Sequence, residues 1–234
     1  MKPFRKIVSF GDSFAWGDEL IAPEQTAVGD HGNRQYREQH CYTGVLAKHY
    51  DVPAQNLAFP GGSCQSTRWI YTWWLQREPD PSSCLVLVQL SGPWRSSQFD
   101  NRRVLGSEDY PWNKFVHSAW VDHYLQHDQT VADYFLTEQK FSDCKERSDL
   151  VQAETYLFFQ GQQPNTAGLL MFNSQKWNFN HCVLPNCLLW HGQCLVEILR
   201  DSNYFKPQKH LSEIGHERVS ALLIEQIDHA ILTV

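Results

Sequence analysis

The 234-residue chain has no apolar run approaching the about eighteen residues that a membrane-spanning helix requires. Its first apolar run, Ile7-Val8-Ser9-Phe10, stops at Gly11-Asp12, and the basic start Met1-Lys2-Pro3-Phe4-Arg5-Lys6 lacks the apolar core of a secretory leader. The expectation is a soluble, cytoplasmic protein with no membrane partner. Basic residues are in the minority: 20 Lys and Arg face 26 Asp and Glu, for a formal charge of −6. Nucleic acid, which is held by clustered cations, is therefore not an expected partner. Neither Gly-x₄-Gly-Lys-Ser/Thr nor Gly-x-Gly-x₂-Gly occurs, which removes the usual nucleotide-binding signatures, and no cofactor is expected. Repeats, low-complexity tracts and Gly-, Ser- or Pro-rich linkers are also missing. The chain thus reads as one domain over 1–234, with 96–165 as a lid or insertion.

Cysteine is present but without a framework. The seven are odd in number and irregularly spaced, as expected of buried thiols in a reducing compartment. His181, Cys182, Cys187, His191 and Cys194 crowd together, yet the Cys-x₂-Cys pair common in structural zinc sites does not occur there, and the expectation is no metal. Hydrophobic residues make up 42% and charged residues 20%, the balance of a globular chain rather than a disordered or collagen-like one.

The apolar pattern alternates short strands with amphipathic helices. Lys6 to Phe10 and Gln55 to Phe59 read as strands, and Cys84 to Leu90 as the strongest, its apolar run suited to cover on both faces. Tyr42, Val45, Leu46, His49 and Tyr50 recur at helical spacing. Ser63 can cap a helix whose buried face holds Thr67, Ile70, Tyr71 and Trp74, and Trp69, Trp73 and Trp74 are expected in the core. Phe115 to Gln139 and Lys145 to Phe159 read as helices, Gly168 to Phe172 as a strand, and Leu188 to Leu199 fits either. Ser212 caps a final helix with Val219, Leu222, Leu223, Ile227, Ala230 and Ile231 on one side. Strands alternating with helices imply a three-layer α/β/α sandwich around a mostly parallel sheet.

In such a sheet, ligands gather beyond the carboxyl ends of the strands. Three of those ends carry unusual residues: Gly11-Asp12-Ser13, Pro60-Gly61-Gly62 and Ser91-Gly92-Pro93-Trp94-Arg95. A fourth segment, His210-Leu211-Ser212-Glu213-Ile214-Gly215-His216, precedes the last helix. A serine at a strand-to-helix turn aims its N–H into the crevice, and a loop glycine brings a second N–H close to an oxyanion. A histidine returned by the C-terminal loop can take the serine proton. Read singly, Ser13 is equally a helix cap, Gly61 a turn residue and His210 a loop histidine.

The ordered set Ser9-Phe10-Gly11-Asp12-Ser13-Phe14, Asn56-Leu57-Ala58-Phe59-Pro60-Gly61, and His210 with Gly215-His216 resembles the SGNH (GDSL) hydrolase family across residues 9–216. The resemblance implies a flavodoxin-like fold and ester hydrolysis through an acyl-serine. Carried over by position, it makes Ser13 the nucleophile, His210 the general base and Gly61 an oxyanion donor. Trp94 and Arg95, at a strand's carboxyl end, are candidates for the substrate pocket, and Asp12 is counted with them but is expected to hold the loop rather than react. Two positions depart from the family. Trp94 stands where an oxyanion-donating Asn falls, and Pro207 and Gln208 stand where an Asp orients the histidine; Asp201 is the nearest upstream acid. The Leu90 to Arg95 segment is similar to divergent members, some phage-encoded, for which the virion or host cytoplasm would be the compartment. The expected substrate is a small-molecule or carbohydrate ester. The alternative is a catalytically impaired member serving as a binding or structural module.

Overall fold

The computed structural model describes residues 4–22, 33–91, 95–99, 115–118, 121–142, 154–155, 157–159, 166–170, 199, 202–206 and 210–232. Four strands form one parallel sheet: β1 (Lys6–Phe10), β2 (Ala54–Asn56), β3 (Cys84–Leu90) and β6 (Thr166–Leu170), in the order β2-β1-β3-β6. Two short strands, β4 (Ser97–Phe99) and β5 (Phe115–His117), form a separate antiparallel pair. The helices are α1 (Ser13–Trp16), α2 (Arg34–His40), α3 (Tyr42–Tyr50), α4 (Cys64–Leu75), α5 (Val121–His127), α6 (Gln129–Ser142) and α7 (Glu213–Leu232).

The layers follow from the two-residue period of the strands. Ile7, Leu85 and Leu87 face one way and pack with Leu46 and Ala47 of α3 and with Val219, Leu223 and Ile227 of α7. Val8, Phe10, Val86, Val88 and Leu90 face the other way, against Ile70, Tyr71 and Trp74 of α4 and against Phe159. All seven residues of β3 are buried, which explains why its sequence does not alternate. Each fully buried Leu or Val there contributes about 1.5–3 kcal/mol relative to exposure. Helix α4 opens with a reciprocal cap: Ser66 N–H donates to Ser63 Oγ, and Ser63 N–H donates to Ser66 Oγ. The result is the α/β/α sandwich expected from the sequence.

Several elements differ from expectation. Residues 115–139 are not one helix but β5, α5 and α6. Asp128 breaks the helical run, its carboxylate accepting the Val131 N–H at 3.3 Å and its carbonyl the Val131 and Ala132 N–H groups at 3.1 Å. Strand β2 ends at Asn56 rather than Phe59, because the Asn56 side chain turns the chain by accepting the Ala58 N–H. Strand β6 lies two residues earlier than expected at each end. Trp74 is core and Trp73 half-buried, but Trp69 lies on the exposed side of α4, edge-on to Phe115. Cys41, Cys64 and Cys84 are free, buried thiols; Cys144, Cys182, Cys187 and Cys194 lie outside the described residues. Most of the expected 145–159 helix and of the ambiguous 188–199 stretch, and Asp201, also lie outside them.

The strand order fixes where a site can form. The chain leaves β1 to build β2 on one side, then crosses to build β3 on the other, so the connections from β1 and β3 diverge at their carboxyl ends. That divergence opens the crevice in which sheets of this kind hold ligands.

Candidate active site

Ser13 stands at the mouth of this crevice, as the first residue of α1. Asp12 caps the helix: its Oδ1 accepts the Phe14 N–H at 3.1 Å, and Gly17, left-handed at φ 82°, ends it one turn later. The Gly17 and Asp18 N–H groups both donate to the Ser13 carbonyl oxygen, at 3.2 and 3.0 Å. As a first-turn residue, Ser13 has an N–H with no acceptor inside the helix.

The second block is bound to the first through the backbone. Phe59 N–H donates to the Gly11 carbonyl at 3.1 Å, and Asn56 Nδ2 donates to the Ala15 carbonyl at 2.9 Å. Asn56 Oδ1 also accepts from Ser9 Oγ at 3.0 Å. Gly62 packs so closely that a Cβ there would lie 2.8 Å from the Gly11 oxygen and 3.5 Å from Asp12 Cα. The turn at Pro60-Gly61-Gly62, with Gly61 at φ 82°, therefore lies against the segment that carries Ser13.

His210 arrives from the far end of the chain. Its carbonyl accepts the Lys206 N–H at 2.7 Å, and Phe205 and Leu211 bridge antiparallel on either side. Ser212 Oγ then caps α7 by accepting the Gly215 N–H at 3.1 Å. Held this way, the His210 ring packs against Phe14 and sets Nε2 3.0 Å from Ser13 Oγ.

The other ring nitrogen meets a residue that sequence reading missed. Glu19 Oε2 lies 2.9 Å from His210 Nδ1 and also accepts the His210 backbone N–H at 3.2 Å. A carboxylate facing Nδ1 requires the proton on that nitrogen, which leaves Nε2 with a lone pair toward the serine hydroxyl. Asp18 Oδ2 stands 3.9 Å from Nε2, on the serine side of the ring. The only local signal for Glu19 is the acidic pair Asp18-Glu19 just after the serine block; its separation of 191 residues from His210 hides the contact.

The buried Asp12 pairs with the partly exposed Arg95, whose Nη1 donates to Asp12 Oδ2 at 2.9 Å. Gln89, the one polar side chain inside β3, donates its amide to Asp12 Oδ1 and accepts from Tyr42 Oη at 3.3 Å. Burial pushes the Asp12 carboxyl up, against the opposing pull of Arg95, the Phe14 N–H and Gln89. Burial likewise raises the Tyr42 phenol well above its ordinary value. Asp12 thus joins the ends of β1 and β3, and with both oxygens occupied it is a brace for the Ser13 turn rather than a group that faces substrate. Arg95 faces Asp12. Trp94 lies outside the described residues.

Behind the site, His216 is fully buried on α7 and accepts the Tyr42 N–H on Nδ1 at 3.2 Å. Burial, with the neighbouring His210 acting in the same sense, lowers its pKa to about 3, so the ring is neutral. Among the described residues no three His, Cys, Asp or Glu side chains gather as metal ligands, and no helix is long and apolar enough to cross a membrane.

No protein-family model matches the sequence, and no curated protein matches it. Solved structures do show likeness in shape. A lipase/acylhydrolase from Enterococcus faecalis is similar at a TM-score of 0.42 and 12% identity, over 97% of this chain and 96% of that one. Axe2, an acetylxylan esterase from Geobacillus stearothermophilus, is similar at 0.45 and 13%, over 97% and 96%. A carbohydrate esterase whose active site displays divergent catalytic and non-catalytic binding functions is similar at 0.47 and 12%, over 96% and 68%.

Proposed function

We propose that the protein is a serine ester hydrolase in which Ser13 is the nucleophile and His210 the general base. The observation that carries this reading is the 3.0 Å approach of Ser13 Oγ to His210 Nε2, across 197 residues of sequence, at the carboxyl ends of β1 and β3. Ser13 Oγ attacks the ester carbonyl carbon as its proton passes to Nε2. The tetrahedral oxyanion collapses, the C–O bond to the alcohol breaks, and Nε2–H returns the proton to the departing oxygen. Water then attacks the acyl-serine by the same route, releasing the carboxylic acid and restoring the Ser13 hydroxyl. The N–H groups of Ser13 and Gly61 are the oxyanion donors in this scheme.

The substrate class is a small or carbohydrate ester; His216, fully buried with Nδ1 accepting the Tyr42 N–H, takes no part in the proton transfer. Replacing Ser13 by Ala removes hydrolysis of a short-chain aryl acetate, and a fluorophosphonate probe labels the native protein at Ser13 and not the variant. Undiminished turnover by Ser13→Ala overturns the nucleophile. Failure of the native protein both to label and to hydrolyse any acyl ester favours the binding-module reading.

A further inference from the structure

We propose that Glu19 is the carboxylate that positions His210, so that the acid and the nucleophile are supplied by one turn and the C-terminal loop supplies only the imidazole. The proposal rests on the Ser13–His210 reading above and adds to it a positioning residue where the family's acid position, just ahead of the histidine, holds Pro207 and Gln208. Four independent features of Glu19 point the same way.

Its Oε2 meets Nδ1 at 2.9 Å while Nε2 meets Ser13 Oγ at 3.0 Å, so carboxylate and hydroxyl sit on opposite nitrogens of one ring. The same oxygen accepts the His210 backbone N–H, at 3.2 Å, and so fixes both the ring's rotation and the chain that carries it. The side chain is only 7% exposed, and a carboxylate removed from water to that extent is retained where donors are aimed at it. Finally, the Glu19 backbone is left-handed at φ 65°, a conformation disfavoured for any residue with a Cβ and kept where surrounding contacts hold it.

Asp18 is the obvious competitor and fails on geometry. Its carboxylate faces the wrong nitrogen, at 3.9 Å from Nε2, and its Oδ1 instead accepts the Glu19 N–H at 3.2 Å. That bond, with the Asp18 N–H on the Ser13 carbonyl, ties residues 13–19 into one unit.

The consequence is a defined tautomer. With the Glu19 carboxylate facing Nδ1, the proton stays on Nδ1 and the lone pair on Nε2 faces Ser13; without that side chain, the ring can turn over or carry its proton on Nε2, where it cannot take the serine proton. A positioning acid of this kind acts on the chemical step more than on substrate binding.

The test compares native protein with Glu19→Gln, Glu19→Asp and Glu19→Ala. In aryl-acetate hydrolysis Glu19→Gln lowers kcat by about 10²–10⁴-fold with KM within about threefold, and Glu19→Asp recovers about tenfold or more of that loss. In ¹⁵N-labelled protein the His210 Nδ1-bound proton gives a downfield line, assigned by its loss in His210→Gln, and that line moves or disappears in Glu19→Gln and persists in Glu19→Asp. Thermal unfolding of each variant separates a misfolded chain from a mispositioned ring. The nuclear resonance readout needs no turnover, so it decides the role of Glu19 whether or not Ser13 proves to be the nucleophile. An unchanged His210 tautomer in Glu19→Gln overturns the proposal. So does a kcat within threefold of native in a protein whose Ser13→Ala variant is inactive.

Discussion

At the scale of single residues, the site is dominated by acids placed where water does not reach them. Asp12 is fully buried, and its charge is balanced by one guanidinium, that of Arg95, with Gln89 and the Phe14 N–H completing its shell. Removing one member of such a pair costs more than the pair contributes, because a bare charge is left behind in a low-dielectric setting. Arg95→Met is therefore expected to destabilise the fold by about 3–5 kcal/mol. Asp12→Asn combined with Arg95→Met should lose much less than the two single changes added together, since it leaves no bare charge. A double-mutant cycle from urea unfolding measures the coupling; strict additivity of the two losses would show that the pair is not a unit. The Asn56 side chain works the same way without charge, linking Ser9, Ala15 and Ala58 through its amide.

At the scale of elements, the decisive contacts are close approaches of backbone to backbone. Helix α7 crosses the 3₁₀ turn at Ser202–Tyr204 so tightly that a Cβ on Gly215 would overlap the Tyr204 carbonyl oxygen. In an ordinary helix interior Gly→Ala stabilises by up to about 1 kcal/mol. Here the sign reverses: Gly215→Ala is expected to destabilise by about 1–3 kcal/mol, through overpacking, and to slow fluorophosphonate labelling of Ser13. The labelling falls because His210 is tied to that same turn through the Lys206 N–H on its carbonyl, the Phe205–Leu211 bridge and the Ser212 N–H on the Tyr204 carbonyl. Denaturant midpoints at constant m-value give the first effect, and a midpoint at or above native refutes it. The elements with unbroken or strictly periodic apolar patterns, β1, β3, α4 and α7, were readable because burial alone dictates them. Residues 115–139 were not, because helical spacing continues across Asp128 and only the cap geometry, with the pairing of β5 to β4, divides the run. Gln89, a single amide in an otherwise apolar seven-residue strand, was passed over, and its partner Asp12 is 77 residues away with no local pattern to join them.

At the scale of the whole molecule, the parallel order β2-β1-β3-β6 brings residues from both ends of the chain to one crevice. That Ser13 and His210 would meet could be read from motif order, since one follows a strand and the other comes shortly before a helix. The acid could not, because the positions ahead of His210 hold Pro207 and Gln208 and the carboxylate that meets the ring comes instead from the turn after Ser13. The same long-range closure buries His216 between α7 and the start of α3, where the Tyr42 N–H is its partner. Burial and the nearby His210 lower its pKa to about 3, whereas a histidine in an unfolded chain titrates near about 6.5. Between those values the unfolded chain binds a proton at position 216 that the folded chain does not. Stability contributed by the neutral ring is therefore complete above about pH 6.5 and is lost as pH falls, at about 1.4 kcal/mol per pH unit. His216→Asn keeps an acceptor for the Tyr42 N–H and removes the titration. Comparing urea unfolding free energies at pH 6.5 and 5, the native protein should lose about 2 kcal/mol more than the variant. Equal losses in the two proteins would mean that position 216 does not couple the fold to acid. A larger loss in the native protein assigns that share of the acid sensitivity to the neutral His216 ring held at the α3–α7 contact.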